Sequence, residues 1–71
     1  MDVVALGEVI RANRKAKRLT QQDLADLSGV SDRFLRELEK GKPSAEIGKV
    51  MDVLSTLGFE LEPILRRSDL T

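Results

Sequence analysis

The sequence predicts an all-α fold: a compact helix-turn-helix domain of four helices, followed by one short C-terminal strand that pairs across a dimer. Three observations lead there. Apolar residues recur at helical spacing in separate runs, most of them bounded by a capping residue or a glycine. The two middle runs are joined by Gly29-Val30-Ser31 alone. After Gly58 the apolar period shortens to two, in Phe59-Glu60-Leu61-Glu62.

The first helix follows from an apolar stripe at positions 3, 6, 9 and 10, which ends near Lys17, with Asp2 as its cap. Thr20 caps the second run, where Leu24, Ala25 and Leu27 make one buried side. Gly29 supplies the positive φ that a sharp helix exit demands. Ser31 caps the third helix, whose inner face is Phe34, Leu35 and Leu38; Gly41 and Pro43 close it. Ser44 is placed to cap the fourth helix, in which Ile47, Val50, Met51, Val53, Leu54 and Leu57 span about 160° of the wheel. That stripe is wider than one small core needs. Pro63 has no N–H for a ladder, so the strand is an edge or ends there. A single strand cannot satisfy its own backbone. The economical partner is the same strand of a second copy, so Val50, Val53, Leu57, Phe59, Leu61 and Ile64 are expected to form a two-fold dimer contact. Residues 1–64 then form one helix-turn-helix and dimerisation domain, and residues 65–71 a flexible tail.

With 71 residues the chain supports one small domain. It contains no Cys and no His, which excludes disulfides and leaves no ordinary zinc site; neither metal nor cofactor is expected. The lack of cysteine fits a cytoplasmic protein. No apolar run of membrane-spanning length occurs, and the N-terminus lacks the basic and apolar regions of a secretory signal. Net charge is zero, but its distribution is uneven: residues 11–18 hold five basic and no acidic residues. Such a local patch suits phosphate better than the total charge implies, although a solvated helix end reads the same way. No glycine-rich phosphate loop is present, and Glu60 and Glu62 read as the wet side of a strand, so no enzymatic activity is expected.

The spacing L-T-Q-x-x-L-A-x-x-S-G-V-S-x-x-x-L-x-x-L-E-x-G-K, from Leu19 to Lys42, resembles the Cro/CI (XRE-type) helix-turn-helix family, and the likeness extends over residues 6–58. The ending Leu57-Gly58-Phe59-Glu60-Leu61-Glu62 departs from the family's usual fifth helix and resembles the short HipB-type antitoxins. The resemblance implies that the third helix enters the major groove of double-stranded DNA at a palindromic operator. It puts Ser31, Asp32, Arg33, Arg36 and Glu37 in base-reading positions, with Asp32–Arg36 and Arg33–Glu37 as i,i+4 pairs. It makes Gln21 a phosphate ligand and Arg14 with Glu39 a structural ion pair. Lys15, Arg18, Lys40, Lys42 and Ser44 are the remaining phosphate candidates. The same likeness implies an antitoxin that represses its own operon and binds a HipA-like toxin kinase. A stand-alone or phage-type regulator, or a protein-interaction module without DNA binding, are the other readings.

Overall fold

The structure, a computed structural model, describes residues 2–66; Met1 and residues 67–71, with most of the expected tail, lie outside the described residues. Four helices follow in order: α1 Val3–Ala16, α2 Gln21–Ser28, α3 Asp32–Glu39 and α4 Ile47–Thr56. α3 packs against both α1 and α2, and α2 packs in turn on α4. Ile10, Leu24, Ala25, Leu35, Leu38, Val50, Val53, Leu54 and Leu57 fill the space between them, and Leu6, Leu19, Val30, Phe34 and Ala45 close its edges.

Each helix begins where the local chemistry places it. The Asp2 carboxylate accepts from the Ala5 N–H at 2.7 Å and caps α1. At α2 the Thr20 hydroxyl accepts from the Asp23 N–H at 3.0 Å, and the Asp23 carboxylate accepts from the Thr20 N–H at 2.9 Å, which makes a reciprocal capping box. The two bonds from Thr20, backbone first, hold the Asp23 carboxyl below its ordinary value. Ser31 caps α3 by accepting from the Phe34 N–H at 3.0 Å.

The helix ends share one hydrogen-bond pattern. At the end of α2 the Gly29 N–H donates to Asp26 O at 3.3 Å and the Val30 N–H to Ala25 O at 3.0 Å, a Schellman turn. Gly29 sits in the left-handed region, φ 73°, where a side chain would be strained. α3 ends the same way at Gly41 and α4 at Gly58. α1 is the exception in sequence and not in geometry: the Arg18 N–H donates to Lys15 O at 2.9 Å and the Leu19 N–H to Arg14 O at 3.1 Å, with Arg18 itself at φ 57°.

Several expectations change at this level. α4 starts at Ile47 with Glu46, not Ser44, at its N-cap, and no side chain caps it. Leu27 is not on the buried side of α2; it is 65% exposed. Val50, Val53 and Leu57, expected on a dimer face, are buried inside the protomer, at 2%, 0% and 4% exposure. The solvent-facing apolar side of α4 is Ile47 and Met51 instead. The wide stripe therefore serves two surfaces. Its centre completes the protomer core and its flank stays wet. Residues 59–66 form no helix and no ladder, because the described protomer offers no second strand to pair with. Gly7 marks a close helix contact: a Cβ there would lie 2.6 Å from the carbonyl oxygens of both Leu38 and Glu39.

A left-handed non-glycine residue costs about 1–2 kcal/mol, part of which glycine's larger unfolded-state entropy offsets. Arg18→Gly is thus expected to stabilise the fold by roughly 0.5–1 kcal/mol, a rise in thermal midpoint of about 2–8 °C for a domain of this size. A melting curve followed by circular dichroism checks it, and a fall in midpoint contradicts the strain at this turn.

Candidate nucleic-acid interface

The surface of interest is built around a buried charge. Glu39 lies at the last turn of α3 and faces inward, where Arg14 of α1 meets it. Arg14 Nε donates to Glu39 Oε2 at 2.7 Å and Nη2 to Oε1 at 3.1 Å, a bidentate fork. The remaining guanidinium nitrogen, Nη1, donates to Leu19 O at 2.8 Å. Gln21 Nε2, at the first turn of α2, donates to Glu39 Oε1 at 3.1 Å. One carboxylate thus joins α1, α2 and α3, and no buried side-chain N or O among the described residues is left without a partner.

Above this pair opens a cleft of about 420 Å³ lined by Arg11, Arg14, Gln21, Arg36, Glu39 and Lys40. The only acid in it is Glu39, which Arg14 and Gln21 already occupy. The lip is therefore cationic. Arg11 is absent from the sequence-based site, yet its place was legible: it precedes Arg14 by three residues and Lys15 by four, so it shares a side of α1 with them.

The outer face of α3 carries a second charge cluster. Arg33 Nε donates to Glu37 Oε1 at 3.4 Å, and Lys42 Nζ donates to Glu37 Oε2 at 3.2 Å. Both are surface pairs; the Arg33 side chain is 81% exposed. The Lys42 hydrogen bond, with a smaller contribution from Arg33, holds the Glu37 carboxyl below its ordinary value. Of the two expected i,i+4 pairs on α3, Arg33–Glu37 is formed, and Asp32–Arg36 is not an ion pair among the described residues.

The other candidates are dispersed. Ser31 is engaged as the cap of α3. Ser44 and Lys42 line a separate hollow of about 160 Å³ beside Phe34 and Glu46. Lys15 is exposed along α1, one turn beyond Arg11, and Arg18 occupies the strained turn after it. Among the described residues no group of His, Cys, Asp and Glu is arranged to hold a metal, and no helix is long and apolar enough to cross a membrane.

A capped helix, a glycine turn and a second helix with exposed charges, set beside a cationic cleft, define a helix-turn-helix protein. The helix-turn-helix family profile matches residues 10–64, more than half of the chain, and the chain belongs to that family. It is a family of DNA-binding transcription regulators and not of enzymes. Among curated relatives, the chain is similar to the uncharacterized HTH-type transcriptional regulator y4mF of Sinorhizobium fredii (strain NBRC 101917 / NGR234): 47% identical over 57 residues, 80% of this chain and 75% of that protein.

Two outcomes are expected. Removing one partner of a buried ion pair costs about 3–5 kcal/mol, whereas replacing both with apolar residues is often near neutral. Glu39→Gln should therefore lower the urea midpoint severely, and the double variant Arg14→Met with Glu39→Met should be the more stable of the two. The second concerns acid. A carboxyl whose folded value is depressed contributes stability that is present above the ordinary value, 4.5 for Glu37, and is lost as pH falls through the lowered folded value. NMR titration should place the Glu37 midpoint below 4.5, and Lys42→Ala should raise it more than Arg33→Ala does.

Proposed function

We propose that the protein is a sequence-specific, DNA-binding transcriptional repressor that acts as a homodimer, with α3 as its reading helix. The observation that carries this is the outer face of α3. Arg33 is exposed and held along the helix by Glu37, in reach of base edges, while cations flank the helix on both sides. An arginine so placed can donate bidentately to guanine O6 and N7, and an acid beside it can accept from cytosine N4 or repel a mismatched acceptor. Asp32, Glu37 and Ser31 complete the set near the bases. Gln21 keeps the second proton of its amide for a backbone phosphate while the first goes to Glu39. Lys40 shares its cleft, and Lys15, Arg18, Lys42 and Ser44, which lie outside that cleft, are the further phosphate contacts.

The dimer rests on apolar surface that the protomer leaves wet. Ile47 and Met51 on α4 are 60% and 49% exposed, and Phe59, Leu61 and Ile64 on the segment after it are 38%, 43% and 81% exposed. Met51 and Phe59 line the same hollow, of about 400 Å³. Beyond the Phe59 N–H, which donates to Leu54 O, residues 60–64 have no backbone partner among the described residues, and the same segment of a second copy would supply one as an antiparallel pair. Two reading helices held this way would suit half-sites about 34–36 Å apart. Within this reading, the likeness of the ending to HipB-type antitoxins supports repression of the protein's own operon in the cytoplasm, with a HipA-like kinase as toxin partner.

Fluorescence anisotropy tests the DNA reading directly. The labelled duplex upstream of the protein's own gene should bind tightly, a scrambled duplex weakly, and both less tightly as salt rises. Equal, feeble, salt-independent binding would favour a protein-interaction module instead. For the dimer, light scattering on the chain truncated after Gly58 should report a monomer where the full chain reports a dimer; a truncated chain that stays dimeric would remove residues 59–64 from the interface.

A further inference from the structure

The charges on α3 fall into two ridges. Arg33 and Glu37 form one, Arg36 and Lys40 the other, each an i,i+4 row, and at 3.6 residues per turn the rows lie about 60° apart. The first ridge is internally neutralised, since Glu37 holds both Arg33 and Lys42. Arg36 and Lys40 in the second hold no acid among the described residues. Their row is extended at the N-terminal end by Asp32, one turn before Arg36 at the first position of α3, but Asp32 forms no ion pair with Arg36 among the described residues, and Glu37 is taken. Arg36 and Lys40 instead line the cleft over the buried ion pair, where Arg11 meets them from α1. None of these three cations forms an ion pair among the described residues, and all three are exposed. The acid at the base of the cleft cannot neutralise them, because its oxygens accept from Arg14 and Gln21. The start of α2 adds the positive end of its dipole at Gln21.

Three cations converging on one cleft, with their only acid already bound, fit a single compact anion. We propose that Arg11, Arg36 and Lys40 together seat one phosphodiester of the DNA backbone, so that Arg36 fixes the register of α3 and does not read a base. Base discrimination then falls to Asp32, Arg33 and Glu37. The proposal rests on the DNA-binding reading and divides its site into a reading ridge and a gripping ridge. Arg11 becomes a DNA contact from α1, a helix outside the helix-turn-helix pair. Arg14, directly beneath, keeps the floor of the seat rigid by holding Glu39.

The test uses the full chain and four variants, R11A, R36A, R11A/R36A and R33A, against the upstream duplex and its scrambled counterpart over a series of salt concentrations. Arg11 and Arg36 are exposed and unpaired, so their variants should melt as the parent does. A lost phosphate contact flattens the log–log salt dependence by about 0.9. R11A and R36A should each flatten it by roughly that amount and weaken both duplexes by the same factor, leaving the ratio between them unchanged. R33A should leave the slope nearly intact and cut the ratio by about fivefold or more. If R36A lowers the ratio as R33A does, Arg36 is a base reader and the proposal is overturned. If R11A and R36A leave the slope unchanged while the parent protein binds selectively, the cleft holds no phosphate, and the proposal fails although the DNA reading stands. If the parent protein binds neither duplex in a salt-dependent way, the DNA reading itself fails and takes the seat with it.

Discussion

The Glu39 carboxylate, buried at the end of α3, fixes the arrangement of the first three helices. A charge so placed must be paired and hydrogen-bonded or it becomes a large penalty. Satisfying it requires Arg14 on α1 and Gln21 on α2 at hydrogen-bonding distance simultaneously. The third nitrogen of the same guanidinium reaches Leu19 O in the connection between α1 and α2. An apolar contact would tolerate sliding by an ångström or rotation by a few degrees. A bidentate fork does not. The pair therefore acts less as a source of stability than as a constraint on how α3 lies against α1, and that lie sets which side chains of α3 face out. The close approach at Gly7 belongs to the same constraint: with a side chain there, α1 could not come within reach of the Leu38 and Glu39 carbonyls.

The helix ends complete the geometry with backbone chemistry. α2 leaves through a left-handed glycine and α3 begins at a serine cap two residues later, so the turn consists of little more than Val30, half-buried against the core. Its peptide groups are used in the two adjoining helix ends, which leaves little slack between α2 and α3. The C-terminus of α2 is also tied to α4, where Ser28 Oγ donates to Thr56 Oγ1 at 3.1 Å. Rigid elements of this kind can hold a surface within the tolerance that base-edge hydrogen bonds require. The cost appears at Arg18, where the same turn geometry is imposed on a residue that disfavours it.

Much of this was legible in the sequence. Asp2, Thr20 and Ser31 are caps because their side chains can accept from an N–H two or three residues on, and a local rule reads local chemistry well. Gly29 and Gly41 announce left-handed ends for the same reason. Arg14–Glu39 was legible only through family resemblance, since no periodicity links residues 25 apart in sequence. The errors are tertiary. Ser44 has the chemistry of a cap, but the chain after Gly41 does not turn into α4 until Glu46. Leu27 has the hydropathy of a core residue, but Leu24 and Ala25 already fill the buried side of α2. The width of the α4 stripe, taken with a strand that lacks a partner, points to a dimer face; hydropathy measures how much surface must be covered and cannot say which neighbour covers it. α2 covers Val53 and its neighbours first, and only the flank with Ile47 and Met51 remains. The spacing of Arg11 puts it on one side of α1 with Arg14 and Lys15, but a run of five cations does not show which of them meets another helix.

Zero net charge becomes intelligible once acids and cations are followed to their places. On and beside α3, Glu39 is bound to the buried Arg14 and Glu37 to the exposed Arg33 and Lys42, while Asp32 forms no ion pair among the described residues. A surface with all its cations free would bind every duplex through counterion release, with little sequence discrimination. Matching some of them lowers that background and leaves Arg11, Arg36 and Lys40 in the cleft, with Lys15, Lys17 and Arg18 beside it in sequence, without an ion-pair partner among the described residues. Selectivity is a difference between affinities, and it grows as well by subtracting general attraction as by adding a specific contact. The acids on α3 are thus compatible with a DNA-binding surface: Glu37 withdraws Arg33 and Lys42 from general attraction, and Arg36 and Lys40 stay unpaired among the described residues.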